Sequence, residues 1–175
     1  MAITRLGGAN AISGTIPQGN IANASLGAVT ALPAAITTGK VLQVLQTSST
    51  SSQTISNHTS FTDITNMSLA ITPSATSSKI YVIVDLSYDL DANDRGFQIK
   101  ILRDSTSVFS ENTNKSTYSS ASRVTGRNFY DKLDSPSTTS QITYKVQAQT
   151  DSGGGVIFQP SSNPSHITLM EISSW

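Results

Sequence analysis

The sequence predicts an all-β protein, an antiparallel β-sandwich that is jelly-roll-like and is preceded by an extended N-terminal arm. The first observation is a pair of long alternating segments within residues 78–104, which have the period of two that β-strands require. The second is a succession of shorter alternating segments, about eight or nine strands in all, separated by turn residues. The third is the charge-poor character of the N-terminal segment, which divides the chain into an arm, 1–39, and a sandwich domain, 40–175.

The central hairpin within residues 78–104 is the clearest element of the chain. Apolar residues occupy every second position of its two strands, at Ile80, Val82, Val84, Leu86 and Tyr88 and then at Phe97, Ile99 and Ile101. Residues 91–96 between them have the composition of a hairpin loop longer than two residues. Each strand has an apolar face to bury, so a second sheet must cover the hairpin.

Further strands are predicted on both sides of this hairpin. Those before it lie at 40–47, 61–64 and 66–72, with a polar loop at 47–54. Those after it lie at 107–110, 123–130, 141–150, 156–158 and 165–173, with a polar loop at 111–122 and a turn at 133–137. Gly126 interrupts one of these strands and predicts a β-bulge. The inward side chains of the strand 141–150 are predicted to be Ile142, Tyr144, Val146 and Ala148.

The arm contains no charged side chain between Arg5 and Lys40. Its isolated apolar residues have a spacing that fits neither a strand nor a steady helical stripe, although residues 22–32 could form a short helix. Because a solvated disordered tail is normally charged, we expect the arm to become ordered on another surface, with a flexible leader as the alternative. The predicted partner-binding residues of the arm are Arg5, Ile12, Ile16, Ile21, Leu26, Val29 and Leu32.

Composition excludes several classes of function. Lys plus Arg equals Asp plus Glu at 11 each, so the chain has no electrostatic footprint for nucleic acid or an anionic membrane. Ser and Thr, 29 and 22 residues, replace much of the usual charge. The absence of cysteine excludes disulfides and cysteine-bound zinc. No apolar run could cross a bilayer, and the N-terminus lacks the apolar region of a signal peptide, so we expect synthesis in the cytoplasm.

Catalytic chemistry has little support in this sequence. The two histidines are His58 and His166, and no Gly-x-Ser-x-Gly motif accompanies the many serines. The Ser-Gly-Gly-Gly run at 152–155 precedes a strand rather than a helix that could hold phosphate. We therefore predict that the chain is not an enzyme and binds no cofactor.

The acidic hairpin loop Asp89–Asp94 matches the opening of an EF-hand calcium loop. Its glycine comes one position too late, and Lys100 stands where the bidentate glutamate would be needed. The favoured interpretation is a solvated hairpin tip with Asx turns, and cation binding is the alternative. We assign no metal site.

A homotrimer is predicted from the charge-poor surface and from the apolar closing strand. Large apolar area beside a chain end tends to be covered by a partner. The predicted interface residues are Ile167, Leu169, Met170, Ile172 and Trp175.

The opening segment ITRLGGANAISGTIPQGNIANASLGAVTALP, residues 3–33, resembles the leader of small virion structural proteins of marine tailed phages. Those proteins are commonly labelled fibre-like or tail-fibre proteins. The resemblance continues at 72–88, 133–149 and 166–172, and so covers most of the chain. It implies a location in the virion, a leader that attaches the protein to the particle, and a β-rich trimeric knob. It implies no catalytic residues.

The leading hypothesis is a non-enzymatic structural protein of a phage particle, a fibre-like appendage with the arm as anchor and the sandwich as an exposed knob. Its partners would be other virion proteins of the tail or the capsid, without nucleic acid binding or membrane insertion. The alternative within the virion is a capsid decoration or cement protein that stabilises the head shell. A second alternative is a carbohydrate-binding module that reads host-surface glycans.

Overall fold

The computed structural model describes residues 41–113, 115–120, 123–151 and 154–173. These residues form eleven β-strands and one short 3-10 helix, Pro160–Ser162. The strands are β1 (Val41–Ser49), β2 (Gln53–Ile55), β3 (Thr62–Ile71), β4 (Lys79–Leu90), β5 (Arg95–Arg103), β6 (Thr106–Ser110), β7 (Thr117–Ser119), β8 (Val124–Asp134), β9 (Ile142–Thr150), β10 (Val156–Phe158) and β11 (Ser165–Ile172). No helix that could span a lipid bilayer occurs in this described part of the chain.

The strands form two antiparallel sheets. The long strands of sheet 1 have the order β1-β11-β4-β8, and those of sheet 2 have the order β3-β9-β5-β6. The short strands extend these sheets, since β10 and β2 join sheet 1 beside β4, and β7 pairs with β5 in sheet 2. Successive long strands alternate between the sheets except at the β5–β6 hairpin. This is the strand order of a jelly roll, and the predicted antiparallel β-sandwich is confirmed.

Strand β4 lies at the centre of sheet 1. On one side it pairs with β8 without a register shift, from Leu90 opposite Val124 to Ile80 opposite Asp134. On its other side β11 occupies the first half and β10 the last three residues. The predicted pairing of the two strands of the central hairpin is wrong, because β4 pairs only within sheet 1, whereas β5 pairs with β9, β6 and β7 in sheet 2. The predicted loop between them thus crosses from one sheet to the other.

The core lies between the two sheets and is built by alternating inward side chains. The inward faces predicted for the central hairpin and for the strand 141–150 are confirmed, because every one of those side chains is buried. Across the interior the ring of Phe97 makes edge-to-face contacts with Tyr88 and Phe158, with centroids 5.1 and 5.2 Å apart. These contacts fix the separation of the two sheets near one end of the sandwich.

Strand β3 differs from its prediction. The segments predicted as two strands, 61–64 and 66–72, form one strand with a register irregularity between Asp63 and Ser68. Asn66 within it has a positive φ of 60°. Ile64 and Met67 are three residues apart yet both are buried. A regular strand would place them on opposite faces, so the extra residues of β3 within this irregularity keep both side chains in the core.

Strand β8 also differs from its prediction. It continues to Asp134, which is four residues past its predicted end and within the first two residues of the predicted turn, and its unbroken register shows that the β-bulge predicted at Gly126 is wrong. Gly126 stands opposite Tyr88, and a Cβ atom there would lie 2.6 Å from the Tyr88 hydroxyl oxygen. The glycine therefore leaves room for the buried Tyr88 ring to lie close to the β8 backbone, and it does not change the register.

The strand directions give the sandwich two distinct ends. Val41, the first residue of β1, pairs with Ile172, the last residue of β11. The connections β3–β4, β5–β6 and β8–β9 lie at this same end, which we call the base. The connections β1–β3, β4–β5, β6–β8 and β9–β11 lie at the opposite end, which we call the loop end. The chain thus enters and leaves the domain at the base.

We expect Gly126→Ala to lower the free energy of unfolding by about 1–3 kcal/mol, because the new methyl group overlaps the Tyr88 ring. Tyr88 is buried against Phe97 and cannot move aside without disturbing that contact. Urea denaturation measures the loss. Thr125→Ala on the neighbouring exposed position is the matched control and should change stability by less than about 0.5 kcal/mol. Equal stabilities of the two variants would contradict the assigned role of Gly126.

Candidate interaction surfaces

The predicted interface residues of the closing strand separate onto the two faces of β11. Ile167 and Leu169 are fully buried in the core, so the prediction that they form an oligomer interface is wrong for this fold. Met170 and Ile172 lie on the outer face and are partly exposed. Trp175 and all the predicted arm residues, from Arg5 to Leu32, lie outside the described residues.

Exposed apolar side chains are concentrated on two strands of sheet 1. Among the described residues, five of the six large exposed apolar side chains belong to β1 and β8. They are Val41 (46% exposed), Leu42 (46%), Val44 (55%), Phe129 (71%) and Leu133 (53%). The sixth, Tyr118, donates a hydrogen bond to Asp94 at 2.7 Å. β1 and β8 are the edge strands among the long strands of sheet 1, and each pairs with one neighbour in the described chain.

These two exposed edges are joined by an apolar row across the outer face of sheet 1. The strand registers place Val44 opposite Met170, Met170 opposite Tyr81, and Tyr81 opposite Leu133. Met170 and Tyr81 in the middle are half-buried, while the end residues are exposed. The hydroxyl of Tyr81 donates to Asp131 at 3.0 Å, so its polar atom is satisfied within the sheet. The strongest apolar exposure is therefore at the edges of the sheet.

Sequence reasoning missed both edges because it treated each strand as having one apolar face. The signal was present in the sequence. Val41, Leu42, Val44 and Leu45 place apolar residues on both faces of one strand, as do Phe129 and Tyr130 on the other. A strand with apolar residues at both odd and even positions is either buried on both faces or exposes an apolar surface that another molecule can cover.

The acidic residues near the β4–β5 loop are bound by arginines and a tyrosine. Both oxygens of buried Asp89 accept hydrogen bonds from Arg123, and those of Asp85 accept from Arg127 at 3.0 and 2.6 Å. Within the residues that the structure describes, no group of three or more His, Asp or Glu side chains converges as a metal site would require. Asp85, Asp89 and Asp94 are thus directed to separate partners, Arg127, Arg123 and Tyr118.

A shallow pocket of about 220 Å³ opens beside these ion pairs on the outer face of sheet 1. It is lined by Ser87, Thr125, Gly126, Arg127 and Asn163. The guanidinium of Arg127 is already engaged by Asp85 and by the Pro164 carbonyl at 2.8 Å. The lining contains no aromatic ring on which the apolar face of a sugar could stack. This pocket gives the glycan alternative no specific support.

At the base, the buried carboxylate of Glu171 connects three segments of the chain. It accepts hydrogen bonds from the Ser74 amide at 2.7 Å, the Ser74 hydroxyl at 2.6 Å and the Gln43 side chain at 2.6 Å. Burial by itself raises the pKa of Glu171, but these donated hydrogen bonds outweigh it and hold the pKa below its ordinary value. The carboxylate thereby ties β1 and the β3–β4 connection to β11 where the chain enters and leaves the domain.

The two histidines lie on different elements. His58 is in the connection between β2 and β3, and His166 is on β11 opposite Asp85. His58 contributes its backbone carbonyl to the structure by accepting a hydrogen bond from Gln149 at 2.8 Å. The structure does not bring the two histidines into one site.

Comparison with known proteins gives limited likenesses. No protein-family model matches the chain, and no curated protein matches it. Similar solved structures include the VP2 subviral particle of infectious bursal disease virus, at 12% identity and a TM-score of 0.45, over 75% of this chain and 38% of that one. They also include the Gx strain of the same virus, at 10% identity and a TM-score of 0.45, over 75% and 37%. This chain spans less than two fifths of those chains, and the jelly-roll assignment rests on its own strand order.

We expect Glu171→Gln to lower the free energy of unfolding by about 1–3 kcal/mol at pH 7, because an amide donor then faces the donors of Ser74 and Gln43. The folded pKa of Glu171 is lowered, so its contribution is complete above the ordinary value of 4.5 and is lost as the pH falls through the folded pKa. The stability gap between wild type and variant should therefore narrow in acid, as measured by urea denaturation at several pH values.

Asp131→Asn is the matched control for this variant, because Asp131 is an exposed carboxylate that also accepts a hydrogen bond. Its effect should stay below about 0.5 kcal/mol. A gap for Glu171→Gln that is independent of pH would contradict the role assigned to the ionised carboxylate.

Proposed function

We propose that this chain is a non-enzymatic structural protein of a virus particle, in which residues 1–39 anchor a jelly-roll domain that is displayed as a homotrimeric, fibre-like knob. The observation that carries the proposal is that the base and the loop end of the domain differ. The pairing of Val41 with Ile172 puts the exit of the N-terminal segment at the base, while four connections lie at the loop end. An anchor attached at the base leaves the loop end free to face away from the particle.

The sequence of the arm supports the same proposal. The absence of charge between Arg5 and Lys40 favours burial against a protein surface over exposure to solvent. The resemblance of residues 3–33 to leaders of marine phage fibre-like proteins agrees with an anchoring role. The arm would dock on another virion protein of the tail or the capsid.

The alternative within the virion is a capsid decoration protein, which needs the same arm and the same domain. The two uses differ in location on the particle. Gold-labelled protein seen at the tail by electron microscopy supports the fibre-like appendage, and label over the head shell supports decoration. Label on neither, in purified particles that contain the protein by mass spectrometry, would contradict both uses.

We expect deletion of residues 1–39 to abolish incorporation into particles while the domain keeps its β-type circular dichroism and cooperative melting. The physical reason is that the described strands and their core begin at β1. Incorporation is measured by complementing a deletion phage with the truncated protein and quantifying it in purified particles. A truncated protein that folds and is still incorporated would show that the arm is not the anchor.

We expect single substitutions in the arm to reproduce this loss. Ile21→Asp forces a carboxylate into a contact between apolar surfaces, and Arg5→Ala removes a charge-assisted contact. Asn20→Asp is the matched control, because it adds the same charge at the adjacent polar position. Incorporation of the Ile21→Asp protein at the level of the Asn20→Asp protein would contradict a buried role for Ile21.

A further inference from the structure

We propose that copies of this chain associate head to tail, with the β1 edge of one copy against the β8 edge of the next, in a closed ring of three. The inference deepens the homotrimer of the proposed function, on which it rests, by naming the two surfaces that meet. The β1 edge consists of Val41, Leu42 and Val44, and the β8 edge of Phe129 and Leu133. These two edges hold five of the six large exposed apolar side chains of the described residues.

The exposed apolar side chains are concentrated toward the two edges of the outer face of sheet 1. The register of β1 shifts between Val41 and Gln43, so Val41, opposite Ile172, and Leu42, two residues before Val44, both lie on the outer face, and each is 46% exposed. The middle of this face is covered better, since Met170 and Tyr81 are half-buried. A partner at the edges therefore covers more exposed apolar surface than a partner over the middle of the face.

The two edges match in height and in direction. The registers place Val44 and Leu133 at the two ends of one apolar row. Val44 of one copy therefore meets Leu133 of the next when the copies stand side by side with their bases level. β1 runs away from the base and β8 runs toward it, so the two edges meet as antiparallel strands. Both edges lack a second backbone partner in the described chain, and this contact supplies one.

Charge favours a second copy of the same chain as the occupant. β1 contains no charged side chain, so it faces Asp131 and Lys132 of the β8 edge without like-charge repulsion. The formal net charge of the chain is zero, so identical copies do not repel one another.

Geometry and area favour a closed ring. β1 and β8 are separated by the width of sheet 1, about 15 Å. Two copies could join both pairs of edges only if their two sheets curled into one barrel, which the twist of each sheet 1 and the sheet 2 packed against it oppose. Three is the smallest ring that avoids this. Each edge exposes on the order of 200 Å² of apolar side chain, which is modest for one contact. A ring gives every copy two such contacts and leaves neither the β1 edge nor the β8 edge open.

The test uses disulfide trapping, for which the absence of native cysteine makes the full chain well suited. Val44→Cys and Leu133→Cys are made singly and together, then oxidised mildly at micromolar concentration. We expect the doubly substituted chain to give a covalent trimer on a non-reducing gel. We expect an equimolar mixture of the single variants to give a covalent dimer, and each single variant alone to remain monomeric on the gel.

Thr65→Cys paired with Leu133→Cys is the matched control, because Thr65 is exposed on the edge of sheet 2 instead. Its crosslinking should stay at least about tenfold below that of the Val44 pair. Disulfides formed by Val44→Cys alone would show contact between like edges and overturn the head-to-tail contact. A wild-type mass of 18.5 kDa or twice that value by light scattering would overturn the ring. Incorporation into particles is scored separately, so a failed ring with normal incorporation counts against this inference and leaves the anchoring proposal standing.

Discussion

Backbone hydrogen bonding along both sides of β4 is the interaction on which the rest of the structure depends. β8 follows β4 over its whole length, and β11 and β10 divide the opposite side between them. Every long strand of sheet 1 except β1 is bonded directly to β4, and β1 is bonded through β11. The inward side chains of β4 also meet sheet 2, as the contact between Tyr88 and Phe97 shows. The apolar row, the ion pairs near the loop end and the shallow pocket all take their positions from this strand.

The division of one side of β4 between two strands leaves a gap that a hydroxyl group closes. At Ser87, between the ends of β11 and β10, the backbone amide donates to the Ser165 hydroxyl at 2.9 Å. The Ser87 carbonyl accepts from the Gln159 amide at 3.1 Å. Ser165 is buried, so its hydroxyl supplies a bond that no neighbouring strand provides there. Part of the unusual serine content of the chain thus completes the backbone pairing of the sheet.

Alternation in the sequence was sufficient to predict the sandwich and most of its core, because a period of two shows directly which side chains share a face. It was insufficient to predict which of two apolar faces of a strand is buried. On β11 the alternation separates Ile167 and Leu169 from Met170 and Ile172, but only the covering sheet determines which pair is buried.

The three-residue strands β2 and β7 are too short to show a period, and β7 forms because β5 offers it a free edge. The aspartate partners Arg123 and Arg127 are 34 and 42 residues away in the chain, so local reading could not find them.

The pairing of β1 with β11 has a consequence for how the protein is made. Gln43 and Glu171, which are hydrogen-bonded across this pair, are 128 residues apart. During translation β1 leaves the ribosome first among the described strands and its only partner in the described chain emerges last. Its apolar sequence VLQVL is therefore without a neighbour while almost the whole domain is synthesised. Sheet 1 is therefore completed only when synthesis of the domain is ending, and until then this apolar segment lacks the strand that pairs with it.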